Sequence, residues 1–386
     1  MHIVYAMKPF PASFTKAIFL AGPTPRNRPG KPVVPSWRPE AIRLLEAAGY
    51  DGVVFVPETA DGNWRQHYDE QVAWEDEGLN RSDCILFWVP RKLRTMPAFT
   101  TNHEHGEWFK SGKIVFAAPK KAPKTNYLRL KAVEFGAPTA ETLEDGIAAA
   151  MNMVGEGALR TGGECEVPLL IWKTPSFQEW YAAQKAVGNR LDHARVEWQF
   201  RVTRKKFLFL WAMHVDVFVA KEGRNKKNEV VLARPATSSV LLYRRDGADP
   251  LATHIVLVRE FRSPVANQDG FVHELPGGSS FRPGETPIQT AAEEVAQETG
   301  FAIPSSRLVP ERTRQMASTI LAHKGHLFSA EVTEDELAEL SSRAGIAQGV
   351  EGDSERTYVE IKTLREILAG DLVDWSTLGM ILSILK

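Results

Sequence analysis

The sequence predicts an α/β protein of two domains: a parallel sheet flanked by helices, then an α+β domain. Three observations carry that prediction. Over residues 17–151, short apolar runs alternate with amphipathic stretches. Residues 155–166, GEGALRTGGECE, hold four glycines and no periodicity, and from Val167 onward the chain turns to strand-like segments around one helical box. A chain of 386 residues also exceeds the roughly 100 to 200 residues that one domain usually organises.

Taken in order, AIFLAG, GVVFVP, CILFWV and KIVFAAP have strand length. The intervening PEAIRLLEAAGY, DEQVAWEDEGLNRSD and HEHGEWFKSG have helical length and period. Strand–helix repetition predicts a flavodoxin- or Rossmann-like parallel sheet buried on both faces, closed by a last helix, TLEDGIAAAMNMV. Ligands of such sheets bind beyond the carboxyl ends of the strands, so the residues after AIFLAG, GVVFVP and CILFWV are placed for chemistry. The expected boundaries are 1–154 for the first domain, 155–166 for a linker and 167–386 for the second domain. In the second, FLFLWAMHVDVFVA, EVVLARPA, SSVLLYR and THIVLVREF read as strands. A helix is expected near 285–299 and another after Thr363.

Composition narrows the partners. Hydrophobic residues at 43% and charged residues at 25% are those of a folded soluble chain. A formal net charge of −1 leaves no bulk basic surface for long nucleic acid, so a small molecule is the expected ligand. The two cysteines, Cys84 in an apolar run and Cys165 in a polar one, form neither a disulfide framework nor a zinc pattern, and a reducing cytoplasm is expected. The first apolar run, residues 17–21, is too short for a signal core or a membrane span, so no membrane partner is expected.

Thr101-Asn102-His103-Glu104-His105-Gly106 follows CILFWV and opens a helix, which places a carboxylate near unsatisfied backbone N–H groups. Breaking an N-glycosidic bond needs one group to meet the oxocarbenium-like carbon and another to help the base depart. Paired carboxylates meet that need, and Glu104 with Glu75 of DEQVAWEDEGLNRSD is the expected pair. Asp83 reads as a structural residue at the start of a strand. Trp37 and Trp64, in Pro- and Gly-bearing loops, are either base-stacking platforms or core residues. His103 and His105 flank the glutamate and either tune it or stand apart from it.

FLAGPTPR, VPETADGNW, QVAWEDEGLNRSDCILFW and TNHEHGEWFKSGKIVFAAP, in this order over about residues 17–150, resemble the nucleoside 2-deoxyribosyltransferase-like superfamily. The resemblance implies that Glu104 is the nucleophile that takes the sugar as a glycosyl ester. It implies that Glu75 orients the substrate or assists the leaving base, that Gly22 and Pro23 border the pocket, and that no cofactor is needed. The histidines and tryptophans around these positions depart from the family pattern, which leaves base choice open.

Farther on, ELPGG at 274–278, the pair Gly284-Glu285 and AAEEVAQETGF at 291–301 stand in register. Glu294 and Glu298, four residues apart, project from one helix face, and a hard cation such as Mg²⁺ wants oxygen ligands of this kind. The segment 274–301 resembles the Nudix box and implies a Nudix fold, with Glu294, Glu298 and Glu274 as metal ligands, Glu298 as a catalytic group, and Mg²⁺ as cofactor. Two positions depart from the box. Glu293 stands where the family has arginine and Gln297 where it has glutamate, and one extra residue lies between Gly278 and Glu285, so weaker metal binding is expected. Glu285 compensates in part on this reading, and Glu351 or Glu355 supplies a late carboxylate. Arg259 and Arg262, in VREFRSP, resemble the substrate-side strand of ADP-ribose pyrophosphatase-type Nudix proteins. They either grip phosphate or pair with nearby acids on a solvated face.

The expected function is therefore that of a hydrolase or glycosyltransferase of nucleotide metabolism. N-glycosidic cleavage or deoxyribosyl transfer is joined to hydrolysis of a nucleoside diphosphate derivative resembling ADP-ribose. The alternative makes the second half a weakly catalytic nucleotide sensor that regulates the first. The Nudix resemblance also implies a homodimer or higher homo-oligomer.

Overall fold

The computed structural model describes residues 1–26, 34–60, 68–202, 207–279, 282, 284–349 and 355–385. The chain forms two compact units, Met1–Ala233 and Arg234–Lys386.

In the first unit the elements are β1 (His2–Tyr5), β2 (Ser13–Phe14), β3 (Ala17–Ala21), α1 (Arg38–Ala47), β4 (Val53–Val56), α2 (Tyr68–Arg81), β5 (Cys84–Trp88), α3 (Phe99–Trp108), β6 (Ile114–Ala117), α4 (Asn126–Glu134), β7 (Thr139–Ala140), α5 (Leu143–Val154), β8 (Arg160–Thr161), α6 (Leu169–Trp172), α7 (Pro175–Ala186), β9 (Arg190–Val202), β10 (Phe207–Val219) and β11 (Arg224–Ala233). Six strands form a parallel sheet in the order β1-β4-β3-β5-β6-β7. Every residue of β3, β4, β5 and β6 is buried, which is why these strands read as unbroken apolar runs. On one face Phe19, Phe55, Phe87 and Phe116 pack with Trp74 of α2 and Leu128 and Ala132 of α4. On the other, Ile18, Leu20, Val54, Leu86 and Val115 pack with Ala41 and Leu45 of α1 and Ile147 and Ala150 of α5. The chain places β4 on one side of β3 and then β5 on the other, so a crevice opens at their carboxyl ends.

The linker expected at 155–166 is instead part of this unit, and the division falls after Ala233. β8 pairs with β2, Cys165 is buried, and Arg160 is fully buried. Its guanidinium donates to both Asp83 carboxylate oxygens at 2.8 and 2.6 Å and to the carbonyls of Thr15 and Val167. The glycines that suggested a linker serve turns: Gly155, Gly157 and Gly162 all have positive φ. The antiparallel sheet β11-β10-β9 also lies in this unit. β1, α4, β7 and β9 are among the elements that were not anticipated. The first three are four, nine and two residues long, and β9, RLDHARVEWQFRV, interleaves charged with apolar residues.

The second unit holds β12 (Thr237–Arg244), β13 (His254–Glu260), β14 (Val272–Glu274), β15 (Gly277–Gly278), α8 (Pro287–Thr299), β16 (Val309–Gln315), β17 (Lys324–Glu331), α9 (Glu334–Ser342), β18 (Thr357–Thr363), α10 (Leu364–Ala369) and α11 (Trp375–Ile384). Its sheet is mixed, β14-β13-β12-β17-β16 with β15 on β12 and β18 on β13. The β12–β17 pair is parallel. Val240, Val256 and Phe328 face Ala291 and Val295 of α8 and Leu340 of α9. Leu241, Leu257 and Leu327 face Leu364 and Ile367 of α10 and Ile381 of α11. The α+β expectation holds. α8 begins in a capping box, Thr286 with Gln289, and ends at Gly300 in the left-handed conformation. No helix among the described residues is long and apolar enough to cross a membrane.

Candidate functional site

At the carboxyl ends of β3, β4 and β5 lies a cleft of about 760 Å³, lined by Gly22 to Arg26, Arg38, Pro57, Gln71, Glu75, Pro97 to Thr101 and Glu104, among others. Gly22 permits its wall. A Cβ there would lie 2.2 Å from the Trp88 carbonyl oxygen, and φ is +150°, so any side chain would force β3 and β5 apart. Glu75 sits one turn after Gln71 on α2 and accepts its amide at 2.8 Å. Glu104 projects from α3, whose first turn is steadied by Arg91 donating to Asn102 Oδ1.

The sequence reading put Glu104 at a helix start. The helix in fact begins at Phe99, after Ala98 in the left-handed conformation, so Glu104 lies beyond the first four free N–H groups and their field does not hold it as an anion. Burial pushes its carboxyl up to about 8, with the charge of Glu75 adding to the rise and Arg38 opposing it. The Glu75 carboxyl is also raised, by burial first, while Gln71 and Arg38 oppose. Two carboxylates that disfavour each other's charge share one cleft and one nearby cation.

The other sequence candidates separate. Trp37 is buried, and its Nε1 donates to the Pro23 carbonyl at 3.2 Å while its ring lies 4.8 Å from the Arg38 guanidinium. It braces the wall and does not offer a stacking face. Trp64 lies outside the described residues. His105 packs among Phe87, Phe109 and Phe116, and burial lowers its pKa to about 4, so it belongs to the core. His103 is exposed. Asp83 is the structural partner of Arg160.

In the second unit, one carboxylate oxygen each from Glu260, Glu298 and Glu355 lie within 4.8 Å of one another. Glu298 is buried and accepts the Gly277 N–H at 2.8 Å. Burial is also the main reason its carboxyl rises well above the ordinary value, with Glu294, Glu274 and Glu355 adding to it. Burial pushes Glu260 up to about 7 against the pull of Arg262, and Glu294 up to about 7 with help from Glu355, Glu285 and Glu293. Glu274 is raised by burial, opposed by Arg262 and Arg234. The all-oxygen donor set is of the kind that suits a hard cation. Arg262 pairs with Glu260 at 2.7 Å and with Glu355 at 3.4 Å. Arg259 points elsewhere: it lies over Phe271 and Tyr358 and 4.0 Å from Glu360. Glu351 lies outside the described residues.

Glu293 is not simply a lost arginine. Arg282, in the loop ahead of α8, donates to both Glu293 oxygens at 3.0 and 2.8 Å and lies 3.8 Å from Glu285. The cation expected on the helix stands on the loop, with the acid in its place. Gln297 is exposed on α8.

Residues 15–122 match the family model described as nucleoside 2-deoxyribosyltransferase like. That stretch contains Gly22, Pro23, Arg38, Glu75 and Glu104, the residues around the cleft. Among solved structures similar to the chain is one described as an ADP compounds hydrolase, with 15% identity, a TM-score of 0.35, and coverage of 51% of this chain and 91% of that chain. No curated protein matches the chain.

Within the matched deoxyribosyltransferase-like region, sequence reasoning missed Arg38. It stands next to Trp37 at the start of an ordinary amphipathic helix, where nothing local distinguishes it from a solvated arginine. In the second unit it missed Glu260 as a member of the cluster. The signal was present in IVLVRE, where Glu260 is a buried acid closing a strand whose middle, Ile255 to Val258, is apolar.

Proposed function

We propose that the first unit breaks the N-glycosidic bond of a nucleoside or nucleotide. One observation carries the reading: Glu75 and Glu104, from successive helices, line one cleft at the carboxyl ends of a parallel sheet. Glu104 is the nucleophile at the sugar carbon, and Glu75 helps the base leave or orients it. Gly22 and Pro23 border the sugar. Incubation with a panel of nucleosides and nucleotides without metal, with products identified by mass, tests this. Free base is expected, and no base from any member of the panel would overturn it.

For the second unit we propose metal-dependent hydrolysis of a nucleoside diphosphate derivative. Glu260, Glu298 and Glu355 would hold Mg²⁺, with Glu294 and Glu274 beside them, and Arg262 would meet phosphate. The bound cation supplies charge neutralisation of the diphosphate and activation of water. Release of monophosphates only when Mg²⁺ is added supports hydrolysis. The alternative is a nucleotide sensor, favoured by Gln297, an amide where the box has a carboxylate, and by Glu293, an acid where it has arginine. A rise in melting temperature with nucleotide but no cleavage would select it. A homo-oligomer is proposed as well. Trp198 and Phe200 of β9 are exposed, and equilibrium sedimentation tests it.

A further inference from the structure

Deep in the wall of the first unit's cleft Arg38 is 1% exposed, and its guanidinium has four acceptors. Nε donates to the Leu20 carbonyl at 3.1 Å, Nη1 to Thr24 Oγ1 at 3.1 Å and Glu58 Oε1 at 2.6 Å, and Nη2 to the Gly22 carbonyl at 2.7 Å. A buried arginine needs charge compensation, which Glu58 provides. It does not need to be gripped by the end of β3, the loop after it and the segment after β4 together. Those contacts fix where the cation sits and which way its plane faces. It lines the same cleft as Glu75 and Glu104 and is hydrogen-bonded to neither among the described residues, so it acts on them through its field. Among the described residues, the other charged and titratable groups around the pair are Asp76 and Tyr68 on α2, Glu107 on α3, Glu58 after β4 and Arg26 on the loop after β3.

We propose that Arg38 is a positioning residue of the cleft, a fixed charge that lets Glu104 ionise beside Glu75, with Glu58 as the counter-charge that tempers it. This rests on reading the cleft as an N-glycosidic site. The raised carboxyl of Glu104 is consistent with a cation that only partly offsets burial.

Arg38 and Glu58 form one ion pair, and breaking it from either side separates the electrostatic role from a structural one. Base release is measured against pH for Arg38→Met, Arg38→Lys and Glu58→Gln. Losing the cation makes Glu104 harder to ionise, so the acid limb of kcat/KM for Arg38→Met moves up by about one pH unit. Arg38→Lys keeps the charge and holds the limb nearer the wild type. Glu58→Gln removes a negative charge and moves the limb down. Limbs that move the same way, or do not move while activity falls at every pH, overturn the proposal. If the wild type releases no base, the reading of the cleft fails by itself. The Arg38 assignment is then decided by the pH dependence of the melting-temperature difference between each variant with and without Glu104→Gln. That dependence moves in opposite directions for Arg38→Met and Glu58→Gln if the assignment holds and does not separate if it fails.

Discussion

Glu104 carries two expectations that pull on different observables. As a nucleophile it must be ionised, so base release is expected to rise with pH and level off above about 8, the value to which burial raises it. As a buried acid it makes the opposite demand on stability. The folded protein keeps a proton that the unfolded chain gives up above the ordinary value of 4.5, so stability falls as pH rises from there through about 8. Glu104→Gln should abolish base release while gaining in melting temperature over the wild type from pH 5 to pH 9, by at least about 2 °C. Retention of more than a few per cent of activity, or a difference flat with pH, removes the assignment. Glu75→Ala should slow poor leaving bases more than good ones if it assists departure, and an equal loss for all bases points to substrate positioning. Glu104 and Glu75 were legible because their motif and helix are local features of the sequence. Arg38 was not, since its role comes from Leu20, Gly22, Thr24 and Glu58, segments that only the folded sheet brings together.

Helix α8 shows how far pattern can be read. Its span, its capping box and its closing glycine follow from local chemistry, and the spacing of Glu294 and Glu298 placed both near the cluster. What the box could not show was that Arg282 reaches back to Glu293, because that contact spans a loop. The consequence is that restoring the familiar residue with Glu293→Arg would set two guanidinium groups against each other. It is expected to weaken Mg²⁺ binding several-fold, whereas the exchange Arg282→Glu with Glu293→Arg should return it toward the wild type. Calorimetric titration with Mg²⁺ decides, and equal affinities for the single and double variants would show that the pair is only an exposed contact of little worth. The same titration in buffers of different ionisation enthalpy should register proton release, as expected for carboxyls held up near 7 in Glu260 and Glu294.

For the whole molecule, the fold class was legible because buried parallel strands and amphipathic helices leave strong periodic signals. The boundary was not, because the glycines of residues 155–166 mark turns as readily as they mark a tether. Arg160 turns that misreading into a practical matter of where the gene can be cut. A fragment ending at residue 154 would lose both Arg160 and the Leu169 N–H that Asp83 accepts, together with β8, the partner of β2. Such a fragment is expected in inclusion bodies, while one ending at Ala233 should be recovered in the supernatant with a cooperative melt. Expression of the two lengths side by side decides the matter, and a soluble, cooperatively melting 1–154 product would show that the sheet folds without Arg160 and β8. If the longer fragment is the minimal unit, any library, crystallisation truncation or fusion junction designed for the cleft has to carry its first 233 residues intact.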